Sequence, residues 1–483
     1  MKTRTFVSIL ILVLAVSFTS FLIVSCGGGN GGNGGNGDNG GPAPEPEIQL
    51  WQDGIPLGLG ADYDFGSVCN ETCTTVTFTI ENVGTADLNL TGAPDTVTMS
   101  GTDAALFTVA SQPSSPIAPN DSSSFTVRFS TASSGETNAT MSIENDDPDA
   151  SSFTLSLTAT GFEPPAKVPA TGQSTSHATG DDGDLQRGVS WPASRFTDNQ
   201  DGTVTDTLTG LMWEQAPSGS IQTWQVALNY ANDLSLGGFT DWRLANVREL
   251  QSLINVEQAN PAGWLNTQGF SGAISDDYWS STTSASNPNM ACVLRTDEGG
   301  AMGRTTKVLF GGEYGWAVRD DDQSGSVAPP KSGQTSSYYS GDDGNLEQGV
   351  SWPSPRFRDN QDATITDNLT GLVWEKTPSA TEKTWAEALT YANDLALGDF
   401  SDWRLANKNE LWSLIHYGSS NSASWLGGQG FTGVQTDTYW TSTTYAGDTT
   451  LAWAVYMETG NMGYSIAAKT SSAYFGWAVR GGQ

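Results

Sequence analysis

Two related stretches decide how this chain folds: FTDNQDGTVTDTLTGLMWE at 196–214 and FRDNQDATITDNLTGLVWE at 357–375. In the first stretch, Asp201 and Gly202 form a turn signal between runs in which Thr alternates with Val or Asp. The stretch therefore predicts a β-hairpin that continues, after a Thr-Gly turn, into a third strand.

The same offset of 161 residues relates other segments of the two halves. DWRLAN at 241–246, for example, recurs unchanged at 402–407. An offset that stays constant over this length predicts two whole copies of one domain. We place them at residues 172–322 and 333–483.

Each copy continues from the hairpin to helices and then to short strands. Thr223 is a suitable N-cap for a helix with apolar residues at helical spacing, and residues 246–254 predict a second, shorter helix. Five tryptophans of the first copy recur in the second among apolar neighbours, which favours core packing; stacking on a sugar ring is the alternative. They are Trp213, Trp224, Trp242, Trp279 and Trp316.

Upstream of the copies, residues 48–162 follow a period of two. Val76, Phe78 and Ile80 alternate with Thr, and turn clusters such as Asp-Asp-Pro at 146–148 separate runs of this kind. Short alternating strands with regular turns predict an antiparallel β-sandwich.

The first 47 residues predict export and a linker. An apolar run ends at Ile-Val-Ser-Cys (23–26), which resembles a bacterial lipoprotein signal peptide with its lipobox. That resemblance implies that residues 1–25 are removed and that Cys26 is acylated, so that the lipid anchors the chain in the outer membrane. The alternative is an uncleaved anchor, since about 19 apolar residues can just span a bilayer. Residues 26–47, which are mostly Gly, Asn and Pro, are typical of a flexible linker.

The charge of the chain excludes some classes of partner. It has 53 acidic and 21 basic residues, for a net charge of −32. No cluster of Lys and Arg interrupts this balance, so binding to nucleic acid or to another polyanion is not expected. The 17 tryptophans and 55 glycines, with only 15% charged residues, are typical of loop-rich extracellular modules.

Three cysteines follow Cys26. In an exported protein, Cys69 and Cys73 are suitably spaced for a disulfide across a three-residue turn. Cys292 lies in the apolar run 290–294, and its counterpart in the second copy is a tryptophan. We therefore interpret Cys292 as a buried apolar residue rather than as a nucleophile.

Three aspartates recur around the hairpin of each copy. They are Asp198, Asp201 and Asp206, with Asp359, Asp362 and Asp367 as their counterparts. Asp-rich bent loops supply the oxygen ligands of hard cations, so a Ca²⁺ site is one interpretation. The same side chains also stabilise turns, and Ala363 stands where Gly202 would suit a strict calcium loop, which favours the second interpretation. Both stay open, and no other cofactor is expected.

Several motifs in fixed order resemble the Lcl C-terminal domain family, also called DUF1566. They are the hairpin stretch, DWRLAN, YWSST at 278–282 and WAVR at 316–319. The resemblance covers both copies and implies a C-type-lectin-like fold and a place on bacterial adhesins. The upstream segment resembles choice-of-anchor or ASH/HYDIN-type immunoglobulin-like domains through DFG at 64–66 and FTIENVG at 78–84. The expected architecture is thus an all-β immunoglobulin-like sandwich followed by two tandem α+β C-type-lectin-like domains.

The resemblance also shapes the expected function. A relative of the family binds sulfated polysaccharide, but the acidic character of this chain argues against that ligand here. His177 and His416 lie in non-equivalent positions and outside any triad or zinc pattern, so we expect no enzyme activity. Trp412 and Tyr445 differ between the copies, and we take them as candidate ligand contacts at the surface. We expect a non-enzymatic surface lipoprotein that recognises a glycan or a protein; a structural envelope protein without a soluble ligand is the alternative.

Overall fold

The fold is given by a computed structural model, which describes residues 43–70, 72–308, 312–321, 325–398, 400–459, 466–471 and 474–481. The predicted signal peptide, the lipidation of Cys26 and most of the predicted linker lie outside the described residues. Residues Glu45–Gln483 form one compact unit. None of the helices in the described part is long and apolar enough to cross a membrane.

The upstream domain is a sandwich of two sheets. Its strands are β1 (Ile48–Gln52), β2 (Ile55–Leu57), β3 (Ala61–Cys69), β4 (Cys73–Asn82), β5 (Val97–Ser100), β6 (Phe107–Ser111), β7 (Ser122–Ser130), β8 (Gly135–Glu144) and β9 (Ser152–Phe162). The strand orders are β2-β1-β4-β7-β6 and β3-β9-β8-β5. All pairs are antiparallel except β3 with β9, which is parallel. Val76, Phe78 and Ile80 are buried between the sheets, as the period of two predicts.

The two repeats contain the same elements in the same order. In the first repeat they are α1 (Asp182–Leu185), β10 (Phe196–Asp198), β11 (Thr203–Asp206), β12 (Leu211–Glu214), α2 (Trp224–Asn232), β13 (Arg243–Leu244), α3 (Val247–Ser252), α4 (Pro261–Thr267), β14 (Asp277–Thr283), β15 (Met290–Arg295), β16 (Ala301–Thr306) and β17 (Ala317–Asp320).

The second repeat adds eight strands and four helices. They are α5 (Asp343–Leu346), β18 (Phe357–Asp359), β19 (Thr364–Asp367), β20 (Val373–Glu375), α6 (Trp385–Asn393), β21 (Arg404–Leu405), α7 (Lys408–Ser413), α8 (Ser422–Gly427), β22 (Thr438–Thr444), β23 (Leu451–Tyr456), β24 (Ile466–Ala468) and β25 (Ala478–Arg480).

Each repeat has a five-stranded and a three-stranded antiparallel sheet. The strand orders are β10-β11-β12-β17-β13 with β14-β15-β16, and β18-β19-β20-β25-β21 with β22-β23-β24. The predicted helices are confirmed: Thr223 precedes α2, and Asn246 caps α3 in a capping box with Glu249. The chain is thus multidomain and predominantly β, while the C-type-lectin-like assignment of the repeats stays a prediction.

The five tryptophans named in the sequence analysis are core residues. Trp213, Trp279 and Trp316 are completely buried, and Trp224 and Trp242 nearly so. Four of the five indole N–H groups donate to backbone carbonyls, that of Trp316 to Glu214 at 2.9 Å, for example. The buried N–H of Trp213 has no hydrogen-bond partner among the described residues. These rings pack the fold, so they are not surfaces for stacking on a sugar.

The segment that leads into each repeat packs against the other repeat. We call residues 168–190 and 329–351 the lead-ins. Gln173 of the first lead-in exchanges two hydrogen bonds with the backbone of Thr444 in the second repeat, at 2.9 and 3.0 Å. Gln334 of the second lead-in does the same with Thr283 of the first repeat, at 2.7 and 2.9 Å. The exchange is reciprocal, and it ties the two repeats together.

Buried carboxylates fix the lead-ins in these positions. Asp182 in α1 accepts from Thr443 of the second repeat at 2.7 Å, and Asp343 in α5 accepts from Thr282 of the first repeat at 2.6 Å. Burial raises the pKa of Asp182 to about 7 and that of Asp343 to about 6. The predicted ranges 172–322 and 333–483 therefore describe the repeats in sequence. In the folded chain, each lead-in also packs on the other repeat.

Candidate binding site

The two candidate ligand contacts do not form a surface site. Trp412 is only 3% exposed, and Arg248 of the first repeat stacks on it with 4.7 Å between the guanidinium carbon and the ring centroid. Tyr445 is half-buried, packs on Trp453 and closely approaches Gly299 of the first repeat. The prediction that Trp412 lies at the surface is wrong, because this ring packs on Arg248 at the interface between the repeats.

Trp412 also borders a crevice between the repeats, together with Pro169 and Pro330. The crevice has a volume of about 70 Å³. Small-molecule sites commonly have volumes of about 300–1,000 Å³. This crevice is therefore too small to hold a sugar ring.

The recurrent aspartates each serve the fold locally. Asp206 is buried in a bidentate pair with Arg195, at 2.9 and 2.7 Å. Asp198 accepts from the N–H of Gln200 at 2.8 Å, and Asp201 accepts from the N–H and hydroxyl of Thr203 at 3.1 and 2.6 Å. These are turn and ion-pair contacts of the kind that the second interpretation predicts.

The second repeat repeats this arrangement with Asp359, Asp362 and Asp367. Asp367 pairs with Arg356 at 3.0 and 2.9 Å, while Asp359 and Asp362 accept from nearby backbone N–H groups at 3.0 Å each. Across the described ranges, no group of three or more His, Cys, Asp or Glu side chains is arranged to hold a metal ion. In the described residues, the aspartates of each hairpin thus serve turns and ion pairs, and Ca²⁺ binding by them stays untested.

The three later cysteines are buried. Cys73 is a thiol that hydrogen-bonds to Arg128, while the sulfur of Cys69 lies beside Gly371 and Pro164. The Cys69–Cys73 disulfide stays a prediction. Cys292 is 3% exposed, and burial raises the pKa of its thiol to about 12, in keeping with a packing role.

Arg243 and Arg404 each follow an aspartate closely in sequence, but they form ion pairs with other residues. Arg243 pairs with Glu249 at 2.7 Å rather than with Asp241. Asp241 instead holds Arg319 at 2.8 Å, and this hydrogen bond keeps the pKa of Asp241 below its usual value. The second repeat has the same two pairs, Arg404 with Glu410 and Arg480 with Asp402.

One face of the five-stranded sheet distinguishes the two repeats. Cross-strand register aligns Thr197, Thr205, Met212 and Arg319 in a row across the first repeat. The corresponding row of the second repeat is Arg358, Thr366, Val373 and Arg480. Facing cross-strand neighbours share one side of a sheet, so each row marks a surface; we call it the row face.

The row face of the second repeat holds the immunoglobulin-like domain. Arg358 donates to the carbonyl of Ser67 at 2.9 Å, and burial lowers the pKa of this guanidinium. Arg128 of the immunoglobulin-like domain lies 4.5 Å from the ring centroid of Phe400. The segment between the immunoglobulin-like domain and the first repeat also contacts the second repeat, since the N–H of Ala166 donates to the carbonyl of Leu369 at 3.0 Å.

The row face of the first repeat borders an open groove of about 520 Å³. This volume falls within the usual range for ligand sites. Among the residues that line the groove are Thr197, Asp201, Thr205, Met212, Phe239 and Asp321. The same surface therefore has a protein domain on it in one repeat and a groove in the other.

The charges around the groove are mostly negative. Arg319 stacks on Phe239, 3.8 Å from the ring centroid, and is paired with Asp241. Asp201 is exposed, and Asp321 accepts from the hydroxyl of Thr205 at 3.2 Å. Thr197 stands where the second repeat has the cation Arg358. The groove consequently combines an aromatic ring with two carboxylates.

Comparison with protein families decides what the repeats are. Residues 202–319 and 363–480 both match the Lcl C-terminal domain. The chain carries two Lcl C-terminal domains. Residues 59–160 match the HYDIN/CFA65/VesB-like Ig-like domain, so the predicted upstream module is confirmed as well. Among curated proteins, none matches this chain.

Solved structures give weak likenesses. A protein of unknown function from Porphyromonas gingivalis W83 is 19% identical, with a TM-score of 0.19, over 26% of this chain and 51% of that one. The ASH/PapD-like domain 7 of human CEP192 is 11% identical (TM-score 0.19), over 28% of this chain and 99% of that one. The Yersinia pseudotuberculosis adhesin InvE is 12% identical (TM-score 0.18), over 91% of this chain and 100% of that one. The chain thus spans only about half of the first of these proteins, and at these TM-scores nothing about function follows.

The groove of the first Lcl C-terminal domain was not among the predicted sites. The sequence does contain a signal for it, because Thr197 and Arg358 are counterparts of very different size and charge. That difference becomes informative only once the immunoglobulin-like domain is known to lie on the second Lcl C-terminal domain.

Proposed function

We propose that this chain is a non-enzymatic recognition protein of the cell surface, and that its first Lcl C-terminal domain binds a partner in the groove. The observation that carries this proposal is the difference between the row faces. On the second Lcl C-terminal domain the face holds a folded domain through Arg358 and Phe400, while on the first it borders about 520 Å³ of open space. A surface that already binds protein within the chain is suited to bind a partner where it is open.

The buried ionisable groups support a binding role rather than catalysis. Burial raises the pKa of Glu214 to about 7, and its carboxylate accepts a hydrogen bond from Tyr230. Glu375 and Tyr391 repeat this pair in the second domain, also with a pKa of about 7 for the glutamate. Because the pair recurs in both domains beneath the sheet, we assign it to packing and not to a reaction.

The proposal is tested by blocking the groove. The substitution Thr197→Trp puts a bulky side chain into the groove at a strand position where the second repeat already carries an arginine, so the fold should tolerate it. Purified full-length protein is applied to arrays of immobilised glycans and extracellular proteins. We expect saturable binding by the unmodified chain and its loss in the Thr197→Trp variant.

A matched control places the same side chain elsewhere. Thr102 is an exposed residue of the immunoglobulin-like domain, and Thr102→Trp should bind like the unmodified chain. Equal binding by the Thr197→Trp variant would show that the groove is not the site. The lack of any saturable ligand would instead favour a structural protein of the envelope.

The surface location is a separate part of the proposal. The lipobox-like segment that ends at Cys26 supports a lipid anchor in the outer membrane. Cells grown with a labelled fatty acid should transfer the label to the chain but not to a Cys26→Ser variant. Label on both forms would contradict the anchor at this residue.

A further inference from the structure

The contact between the immunoglobulin-like domain and the second Lcl C-terminal domain is a template for the groove. At its centre, the guanidinium carbons of Arg128 and Arg480 lie 4.5 and 3.5 Å from the ring centroid of Phe400. Arg480 belongs to the Lcl C-terminal domain itself, whereas Arg128 is supplied by the docked domain. The ring thus receives one cation from its own domain and one from its partner.

The first Lcl C-terminal domain has the same ring and the same internal cation. Arg319, the counterpart of Arg480, lies 3.8 Å from the centroid of Phe239. Among the described residues, no second cation occupies a position over Phe239 like that of Arg128 over Phe400. The groove therefore contains the ring and the internal arginine of this contact. What it lacks is the arginine that a partner would supply.

The differences between the two faces increase the preference for a cation. The second domain has Arg358 where the first has Thr197, and Gly482 where the first has Asp321. Compared with the corresponding positions of the second domain, the groove lacks one positive charge (Arg358) and has one more negative charge (Asp321). Asp201 retains the charge of its counterpart Asp362, which, with burial as the larger cause, raises the pKa of the nearby Cys73 thiol. A cationic group that enters the groove thus meets two carboxylates.

We propose that this groove binds an exposed arginine side chain of a protein partner, with the guanidinium stacked on Phe239 and paired with Asp201 and Asp321. The planar guanidinium can stack on a ring and donate to two carboxylates at once, which the ammonium of lysine cannot match. This inference rests on the proposed function and names the chemistry that the partner must present.

The test uses Nα-acetyl-arginine amide as the probe and the full-length chain labelled with ¹³C in the methionine methyl groups. Met212 lines the groove, and its counterpart in the second repeat is Val373, so its methyl signal reports on this groove alone. A Met212→Leu variant assigns the signal. We expect a saturable shift of that signal with a Kd in the millimolar range. Nα-acetyl-citrulline amide, which has the same shape without the charge, should leave it in place.

Variants separate the parts of the site. Phe239→Leu should weaken binding of the arginine probe about tenfold because it removes the aromatic face. Thr197→Arg should abolish binding, since it brings the cation of the second repeat into the groove. Asp62→Asn, which alters a carboxylate of the immunoglobulin-like domain, should leave the affinity unchanged.

Four results would overturn the proposal. Equal shifts with arginine and citrulline, or no shift of the Met212 signal with arginine, would exclude guanidinium recognition. A shift with neutral oligosaccharides and none with arginine would assign the groove to a glycan. A shift that depends on protein concentration, without any probe, would assign it to a second copy of the chain. In each case, loss of array binding in Thr197→Trp would still support the proposed function, so the two failures are distinguishable.

Discussion

Arg248 of the first Lcl C-terminal domain and Trp412 of the second meet across the boundary between the repeats. The guanidinium donates to the carbonyl of Trp412 at 2.9 Å and to those of Ser413 and Ile415 at 3.3 and 2.6 Å. These carbonyls lie at the end of α7, where a cation is favourable. Both residues are unique to one repeat, since Asn409 and Gln251 are their counterparts.

Loss of this arginine should destabilise the whole chain. Arg248→Ala would leave the carbonyl of Ile415 without its donor, whereas those of Trp412 and Ser413 still accept from the N–H of Ile415 and from Arg356. We expect the free energy of unfolding to fall by about 1–3 kcal/mol. Denaturant unfolding of the full chain measures this change. Arg187→Ala removes an exposed arginine and should change stability by less than about 0.5 kcal/mol. Equal effects of the two substitutions would contradict the role of Arg248.

A buried lysine at the same boundary should make stability depend on pH. The ammonium of Lys408 donates to the carbonyl of Gly300 at 3.2 Å and lies 3.9 Å from the ring centroid of Trp453. Burial lowers its pKa from 10.5 to about 7. The unfolded chain therefore holds more protons than the folded chain between about pH 7 and 10.5, so stability from this group rises with pH across that window.

Lys408→Met should remove this dependence. At pH 7 we expect the variant to be more stable than the unmodified chain, on the order of 3–5 kcal/mol, with a difference that shrinks towards pH 10. Unfolding of both proteins at each pH measures the difference and cancels groups that they share, such as Lys307. Lys376→Met, at a partly exposed ion pair with Asp359, is the control and should show a flat difference. A flat difference for Lys408→Met would contradict the buried charge.

Ala363 should be strained where Gly202 is not. Both residues have positive φ angles, +67° and +89°, and alanine adopts this region at a cost of about 1–2 kcal/mol. Ala363→Gly should raise the free energy of unfolding by about 1 kcal/mol. Gly202→Ala should lower it by at least as much, because the new Cβ would lie 3.0 Å from Leu236. Stabilisation by both substitutions in denaturant unfolding would refute the argument.

Calcium should not raise the melting temperature. The carboxylates of Asp206 and Asp367 are already paired with Arg195 and Arg356, so the hairpins offer no cluster of oxygens to Ca²⁺. Calorimetric melting of the full chain with millimolar calcium and with a chelator is the measurement. A rise of several degrees with calcium would show a site that the described residues do not reveal.

Local patterns predicted much of the fold. The period of two around Phe78, the capped helix after Thr223 and the buried position of Trp213 each follow from a few neighbouring residues. The Asp201 turn followed in the same way, since its partners lie two residues away. Alternation, helix capping and turn hydrogen bonds each involve residues close in sequence, so they can be predicted without the packing of the chain.

The exchange of lead-ins and the interface could not be predicted in this way. Thr283 and Thr444 are equivalent, so Gln173 could pair with either one, and sequence does not choose between them. Trp412 differs from its counterpart because one side of an imperfect twofold contact needs a ring to face Arg248. A difference between the copies suggests exposure, whereas here it reflects burial against a partner that sequence alone does not identify.

The exchanged lead-ins also determine what a shortened chain can do. A polypeptide with one repeat would keep the contacts of its lead-in with its own body, such as that of Thr175 with Glu257. It would lack the partner of its buried aspartate, Asp182 or Asp343, and its own Thr282 or Thr443 would lack the aspartate of the other lead-in. Two such polypeptides would complete each other in an intertwined pair, while the tandem chain achieves this closure by itself. In the tandem chain, the two repeats are therefore not separable building blocks.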